Sequence, residues 1–139
     1  MLQPKALNYR KPFKSSLNRT KAPNKPFVYA NLCLISLEAG FISSKNLEAS
    51  RQAIQRKIKR KGKLWFRIFP QRVITKKPVE QRMGKGKGPV SHYASKVSPG
   101  TVLFELGGVM LTKGQSAFKT GSAKLPVKTK ILFRRHPHF

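Results

Sequence analysis

Apolar and polar positions repeat with different periods along the chain, and the periods predict its elements. Residues 27–38 concentrate Phe27, Val28, Tyr29, Leu32, Cys33, Leu34, Ile35 and Leu37, which suits a half-buried strand, and Gly40 ends it. From Leu47 through Ser50, Ile54 and Ile58 the spacing becomes three or four, which predicts a helix over 44–61. Ser43 stands at its N-cap, Asn46 stands where a capping box prefers Glu or Gln, and Gly62 suits the C′ position. Residues 63–69 read as a strand that is largely apolar on both faces, which predicts a central position, and Pro70 stops it. Residues 71–80 show no clear period. Residues 90–97 and 101–106 read as two strands joined by the turn Ser98-Pro99-Gly100. A second helix is expected over 112–125 from a Thr112 cap, with Leu111, Phe118 and Leu125 seven apart. Gly114 and Gly121 weaken it by about 1 kcal/mol each. Residues 127–134 alternate cleanly and predict a last strand. The sum is an α+β fold: a mixed, mostly antiparallel sheet flanked by two helices.

Two segments fall outside this pattern. Residues 1–26 hold Lys5, Arg10, Lys11, Lys14, Arg19, Lys21 and Lys25, four prolines and no acid, which reads as an extended basic arm. Tyr9 and Phe13 on it suit stacking. Residues Arg82-Met83-Gly84-Lys85-Gly86-Lys87-Gly88 form a basic glycine-rich loop, where a narrow backbone can enter between phosphates. The expected organisation is an arm over 1–26, one domain over 27–134 and a short tail over 135–139.

Charge changes the picture most. The 139 residues carry 30 Lys and Arg against four acids (Glu38, Glu48, Glu80 and Glu105), a net charge of +26. Such a field selects polyanions. From Arg56 to Lys63 six of eight residues are basic (Arg56, Lys57, Lys59, Arg60, Lys61 and Lys63), and Arg51 shares the helix face. With so few acids to pair against, these like charges repel until a polyanion relieves them. One cysteine, Cys33, excludes an internal disulfide and reads as a buried strand residue. The longest apolar run, 28–37, is about half of what a membrane-spanning helix needs. No secretory signal is visible, and the prolines of the arm argue against the amphipathic helix of a mitochondrial presequence.

Catalysis fits poorly. The four Glu form no evident pair, with Glu48 more a structural charge partner than an acid catalyst. His92, His136 and His138 lack zinc spacing. No catalytic residue, metal or cofactor is expected. The glycine loop lacks the Gly-Lys-Ser/Thr ending of a P-loop and the spacing of a dinucleotide fingerprint. No familiar DNA-reading motif is present, and a small core with basic extensions suits structured RNA.

The chain resembles the bacterial-type large-subunit ribosomal protein sixteen family over nearly its whole length. The resemblance is carried by Met1-Leu2-Gln3-Pro4-Lys5, the run Gly62 to Pro70, Thr75-Lys76 with Pro78, the runs Ala117 to Lys119 and Ala123 to Thr129, and above all the heptad Arg82 to Gly88. It implies binding to large-subunit rRNA near the central protuberance, beside the cleft where aminoacyl-tRNA enters, with neighbouring ribosomal proteins and no homo-oligomer. It also implies that the loop points toward the peptidyl-transferase region and tRNA, and that the arm threads into rRNA. In some relatives the arginine matching Arg82 is hydroxylated. The family's Asn-Val-Glu-Tyr-Trp after the loop is replaced by Pro89-Val90-Ser91-His92-Tyr93, and its acid before Gly108 by Gly107. Loss of acids with Lys, Asn and Phe enrichment points to an organellar copy made inside the organelle. A mitochondrial ribosome is expected, with plastid or bacterial cytoplasm as alternatives. A free organellar nucleoid or RNA-chaperone protein remains the alternative function.

Overall fold

A computed structural model describes residues 2–14, 16–17 and 24–134. Arg19 and Lys21 of the arm and the tail 135–139 lie outside the described residues.

The chain forms β1 (Leu32–Ser36), β2 (Gly40–Ser43), α1 (Ser44–Lys57), β3 (Lys63–Phe66), β4 (Arg72–Thr75), β5 (Val90–Val97), β6 (Val102–Gly107), α2 (Leu111–Ser122) and β7 (Thr129–Phe133). This is the expected α+β class, but with two antiparallel sheets where one was expected. The larger sheet has the order β3-β6-β1-β7, and the smaller has β2-β5-β4. The Ser98-Pro99-Gly100 turn is therefore no hairpin. It carries the chain from one sheet to the other, and it is tied to the end of β1 by Gly100 N–H donating to the Ser36 carbonyl at 2.7 Å.

The register of the larger sheet sorts its side chains. Phe66, Phe104, Leu34 and Ile131 oppose one another in one row across the four strands. Phe104 and Leu34 are fully buried there, in a core shared with Phe118, Leu47 and Ile54 of the helices. Trp65, Glu105, Cys33 and Leu132 form the neighbouring row, on the opposite face.

Several expectations need correction. The strand placed at 27–38 begins only at Leu32, because residues 28–30 bond sideways to a side chain instead of joining a ladder. Gly40 starts β2 rather than ending β1. The strand at 63–69 is an edge, not central. Its outer apolar face is covered by residues 28–30 and not by another strand. Residues 72–75, read as patternless, pair with β5. Met110, not Thr112, caps α2, without a side-chain bond.

Ser43 caps α1 as expected, its hydroxyl accepting from Asn46 N–H at 3.2 Å. The other end differs. Lys59 N–H donates to the Arg56 carbonyl and Arg60 N–H to the Gln55 carbonyl, the paired bonds of a Schellman ending. Lys59 thus holds the C′ position, left-handed at φ 54°, followed by Arg60 at 61°. Gly62 serves another need: a Cβ there would lie 2.5 Å from the Gly107 carbonyl oxygen. Gly114 and Gly121 are also contact residues. A Cβ on Gly121 would meet Ile54 of α1 at 2.5 Å, and one on Gly114 would meet Leu32 of β1 at 2.6 Å. The glycines cost helix propensity and let α2 lie close on α1 and on the sheet.

Candidate nucleic-acid interface

The glycine loop joins β4 to β5 and forms the tip of that hairpin. Residues 82–87 are exposed, and Met83 is fully so. Gly84 and Gly86 have φ of 111° and 78°, and Lys85 between them has 53°. Added Cβ atoms at Gly84 and Gly86 would meet nothing, so these glycines answer to backbone conformation alone. Gly88 answers to space: a Cβ there would sit 2.8 Å from the Lys76 carbonyl oxygen, at the neck of the hairpin. Lys77 Nζ donates to the Gly84 carbonyl at 2.5 Å and folds the loop back on its own stem.

The structure brings the arm to this loop. Lys11 Nζ donates to the Lys87 carbonyl at 3.3 Å, and Lys87 Nζ donates to the Pro12 carbonyl at 2.6 Å. The same ammonium lies 5.3 Å from the centre of the exposed Phe13 ring. Further along, Lys14 lies over the Phe41 ring of β2 at 5.9 Å, and Lys96 of β5 donates to the Ser16 carbonyl. Leu2 packs against the core. Lys5, Arg10, Lys11 and Lys14 are exposed. One cationic surface thus runs from the described arm onto the loop, joined at Lys11 and Lys87, 76 residues apart in sequence.

A second basic group is built on α1. Arg51, Gln52, Gln55, Arg56, Lys59 and Arg60 line an open groove of about 420 Å³. The Schellman turn, rather than a continued helix, aims Lys59 and Arg60 into it. Lys57, Lys61 and Lys63 are exposed beside it. Arg51 is the exception among the expected contacts, because its guanidinium already forms a two-pronged ion pair with Glu48. That pair holds the Glu48 carboxyl below the usual range and gives Glu48 its expected structural role. Backbone N–H donation from Lys128, and then its ammonium, likewise lower the exposed Glu38.

Sequence reasoning missed a third centre. Glu105 is 0% exposed. Its carboxylate accepts from the N–H groups of Val28 (3.2 Å), Tyr29 (2.7 Å) and Ala30 (3.1 Å), and it pairs with the Arg67 guanidinium. Three backbone donors and one cation satisfy a buried charge whose isolation would cost several kcal/mol. Residues 28–30 are thereby strapped across the outer face of the larger sheet. Gly107 makes room for the strap: a Cβ there would lie 3.3 Å from both Ala30 and Trp65. Neighbouring Cys33 is fully buried, and burial, with the Glu105 charge second, pushes its thiol up to about 11. The only sequence signal was an acid in the middle of an apolar strand. Among the described residues no three His, Cys, Asp or Glu side chains gather as a metal site would need, and no helix is long and apolar enough to cross a membrane.

A basic α+β protein that gathers its cations on an arm, a glycine-rich hairpin tip and a helix end, with only four acids to set against them, belongs to the class that sits in folded RNA. Comparison with known proteins specifies which. Residues 4–132 match the family described as Ribosomal protein L16p/L10e. The chain is 46% identical to the large ribosomal subunit protein uL16 of Borreliella burgdorferi, over 97% of this chain and 98% of that protein. It is 45% identical to uL16 of Erythrobacter litoralis, over 96% and 93%, and 42% identical to uL16 of Hyphomonas neptunium, over 96% and 97%. The chain belongs to this ribosomal protein family. It is a structural constituent of the large ribosomal subunit, a ribonucleoprotein component with rRNA and ribosomal proteins as partners, and not an enzyme.

Proposed function

We propose that the chain binds large-subunit rRNA near the central protuberance, beside the cleft where aminoacyl-tRNA enters, and supports tRNA accommodation. The observation that carries this reading is the exposed loop Arg82 to Gly88. Its left-handed backbone and its cations, Arg82, Lys85 and Lys87, stand at a hairpin tip and join the arm at Lys11 and Pro12. The loop residues Arg82, Met83, Gly84, Lys85, Gly86, Lys87 and Gly88 face the peptidyl-transferase region and tRNA. Lys5, Arg10, Lys11, Lys14 and Arg19 of the arm neutralise rRNA phosphates, as do Arg56, Lys57, Lys59, Arg60, Lys61 and Lys63 around α1, while Arg51, paired with Glu48, lines the same groove. Residues 1–26 act as the arm, 27–134 as the rRNA-binding domain and 135–139 as a tail. A mitochondrial ribosome is the proposed location, supported by four acids against 30 bases. The bacterial origin of the relatives favours bacterial cytoplasm as the second reading.

The test is sedimentation of lysate through a high-salt gradient, followed by assay of ribosomes carrying Lys85→Ala with Lys87→Ala. Charge-only binding through about ten phosphates would weaken by orders of magnitude over a fourfold rise in salt. The wild-type chain is expected to stay with large subunits, and the double variant to enter subunits yet handle tRNA poorly. Normal tRNA binding by the variant ribosomes would refute the loop's role. Release of the wild-type chain to the top of the gradient would favour a free nucleic-acid-binding protein.

A further inference from the structure

The strap held by Glu105 presents a second feature on its outer side. Tyr29 lies parallel to Trp65, with ring centres 5.9 Å apart and planes 12° from parallel. The Arg67 guanidinium is 5.4 Å from the Tyr29 ring centre, and the Lys63 ammonium is 5.3 Å from that of Trp65. Tyr29 is nonetheless 58% exposed. A tyrosine serving only to cover an indole would be drawn further in. Here its position is fixed from behind: its own N–H and those of Val28 and Ala30 all bond to Glu105. The ring is held out to solvent at little further entropic cost on binding. The one acid at this place is buried and fully engaged, so the rim of the aromatic pair is cationic, and Lys63 continues the basic run from Lys59.

We propose that Tyr29, stacked on Trp65 and rimmed by Lys63, is a platform on which an unpaired nucleobase of RNA stacks, with Lys63 on the adjoining phosphate. A rigid, exposed aromatic ring beside a cation matches a base and its backbone, and double-stranded RNA offers no free base face. The platform shares no residue with the loop or with the lining of the α1 groove. It rests on the RNA-binding reading above and adds a single-stranded contact to it.

Trp65 is the only tryptophan of the chain, so its emission reports on this place. The full-length chain is titrated with single-stranded oligoadenylate, with a duplex of equal phosphate number, and with heparin as a polyanion without bases. Oligoadenylate is expected to quench Trp65, while duplex and heparin leave it nearly unchanged. Tyr29→Ala removes the stacking ring, uncovering Trp65, and leaves in place the N–H groups that bond to Glu105. It is expected to weaken oligoadenylate binding by about tenfold, the usual scale of one lost base stack, and Tyr29→Phe to restore it to within about twofold. Equal quenching by heparin, unchanged affinity in Tyr29→Ala, or no response of Trp65 to oligoadenylate would overturn the platform. The last result is also what a surface made for a neighbouring protein would give. The underlying ribosomal reading is tested separately, by cosedimentation of the wild-type chain with large subunits.

Discussion

The Glu105 strap and the glycine loop are both charged, and they use charge in opposite ways. At the strap, the Arg67 guanidinium, a carboxylate and three N–H groups from distant parts of the chain satisfy one another inside the protein. At the loop, Arg82, Lys85 and Lys87 stand in solvent, and the bonds their neighbourhood makes go to carbonyl groups and not to acids. The difference teaches where a protein of net charge +26 stores its stability. One internal ion pair organises the fold, Glu48 and Glu38 hold Arg51 and Lys128 at the surface, and most of the other cations are left for a partner that supplies the missing negative charge.

Substitutions can break this contrast. Glu105→Ala should have the largest effect. It leaves Arg67 buried without its counter-charge and frees three N–H groups, which is expected to cost about 3–5 kcal/mol in denaturant unfolding followed by Trp65 emission. A change below 1 kcal/mol would mean that the strap does not organise the sheet. Gly121→Ala comes next. Alanine gains about 1 kcal/mol of helix propensity. Its Cβ meets buried Ile54 at 2.5 Å, and overpacking of that kind costs about 1–3 kcal/mol. A net loss is expected, and a gain in melting temperature would show that the two helices can part freely.

Lys59→Gly sharpens the contrast from the other side. Relief of the left-handed backbone should stabilise the free protein by about 1 kcal/mol. The same change should make the salt dependence of RNA binding shallower by about one phosphate contact. Stability gained with an unaltered salt slope would separate Lys59 from RNA. Smallest of all, Lys85→Ala with Lys87→Ala should shift unfolding by less than about 0.5 kcal/mol, since exposed residues outside packed features contribute little.

The same contrast explains what could be read from sequence. The loop was legible because its chemistry is local: three glycines and three cations lie within seven residues. The N-cap at Ser43, the amphipathic stripe of α1 and the alternation of β7 are local too. The strap was not legible, because Glu105, Arg67 and residues 28–30 meet only in the folded chain. The same distance hid the meeting of Lys11 with Lys87 and the division into two sheets. Glycine misled in both directions. Gly114 and Gly121 read as weak helix positions and are close contacts. Gly62 read as a helix end, while Lys59 bears the left-handed turn that glycine normally takes.

The central claim is that the loop's charges face RNA at the functional heart of the large subunit, and one tethered probe tests it. Cys33 is the only cysteine, fully buried, with its thiol pushed up to about 11, so at neutral pH it resists labelling. Met83→Cys would place the one reactive thiol at the exposed loop tip. A hydroxyl-radical source attached there, in assembled large subunits with bound tRNA, is predicted to cut rRNA of the peptidyl-transferase region and the acceptor end of the tRNA. Cuts confined to rRNA elsewhere, with the tRNA intact, would contradict the account.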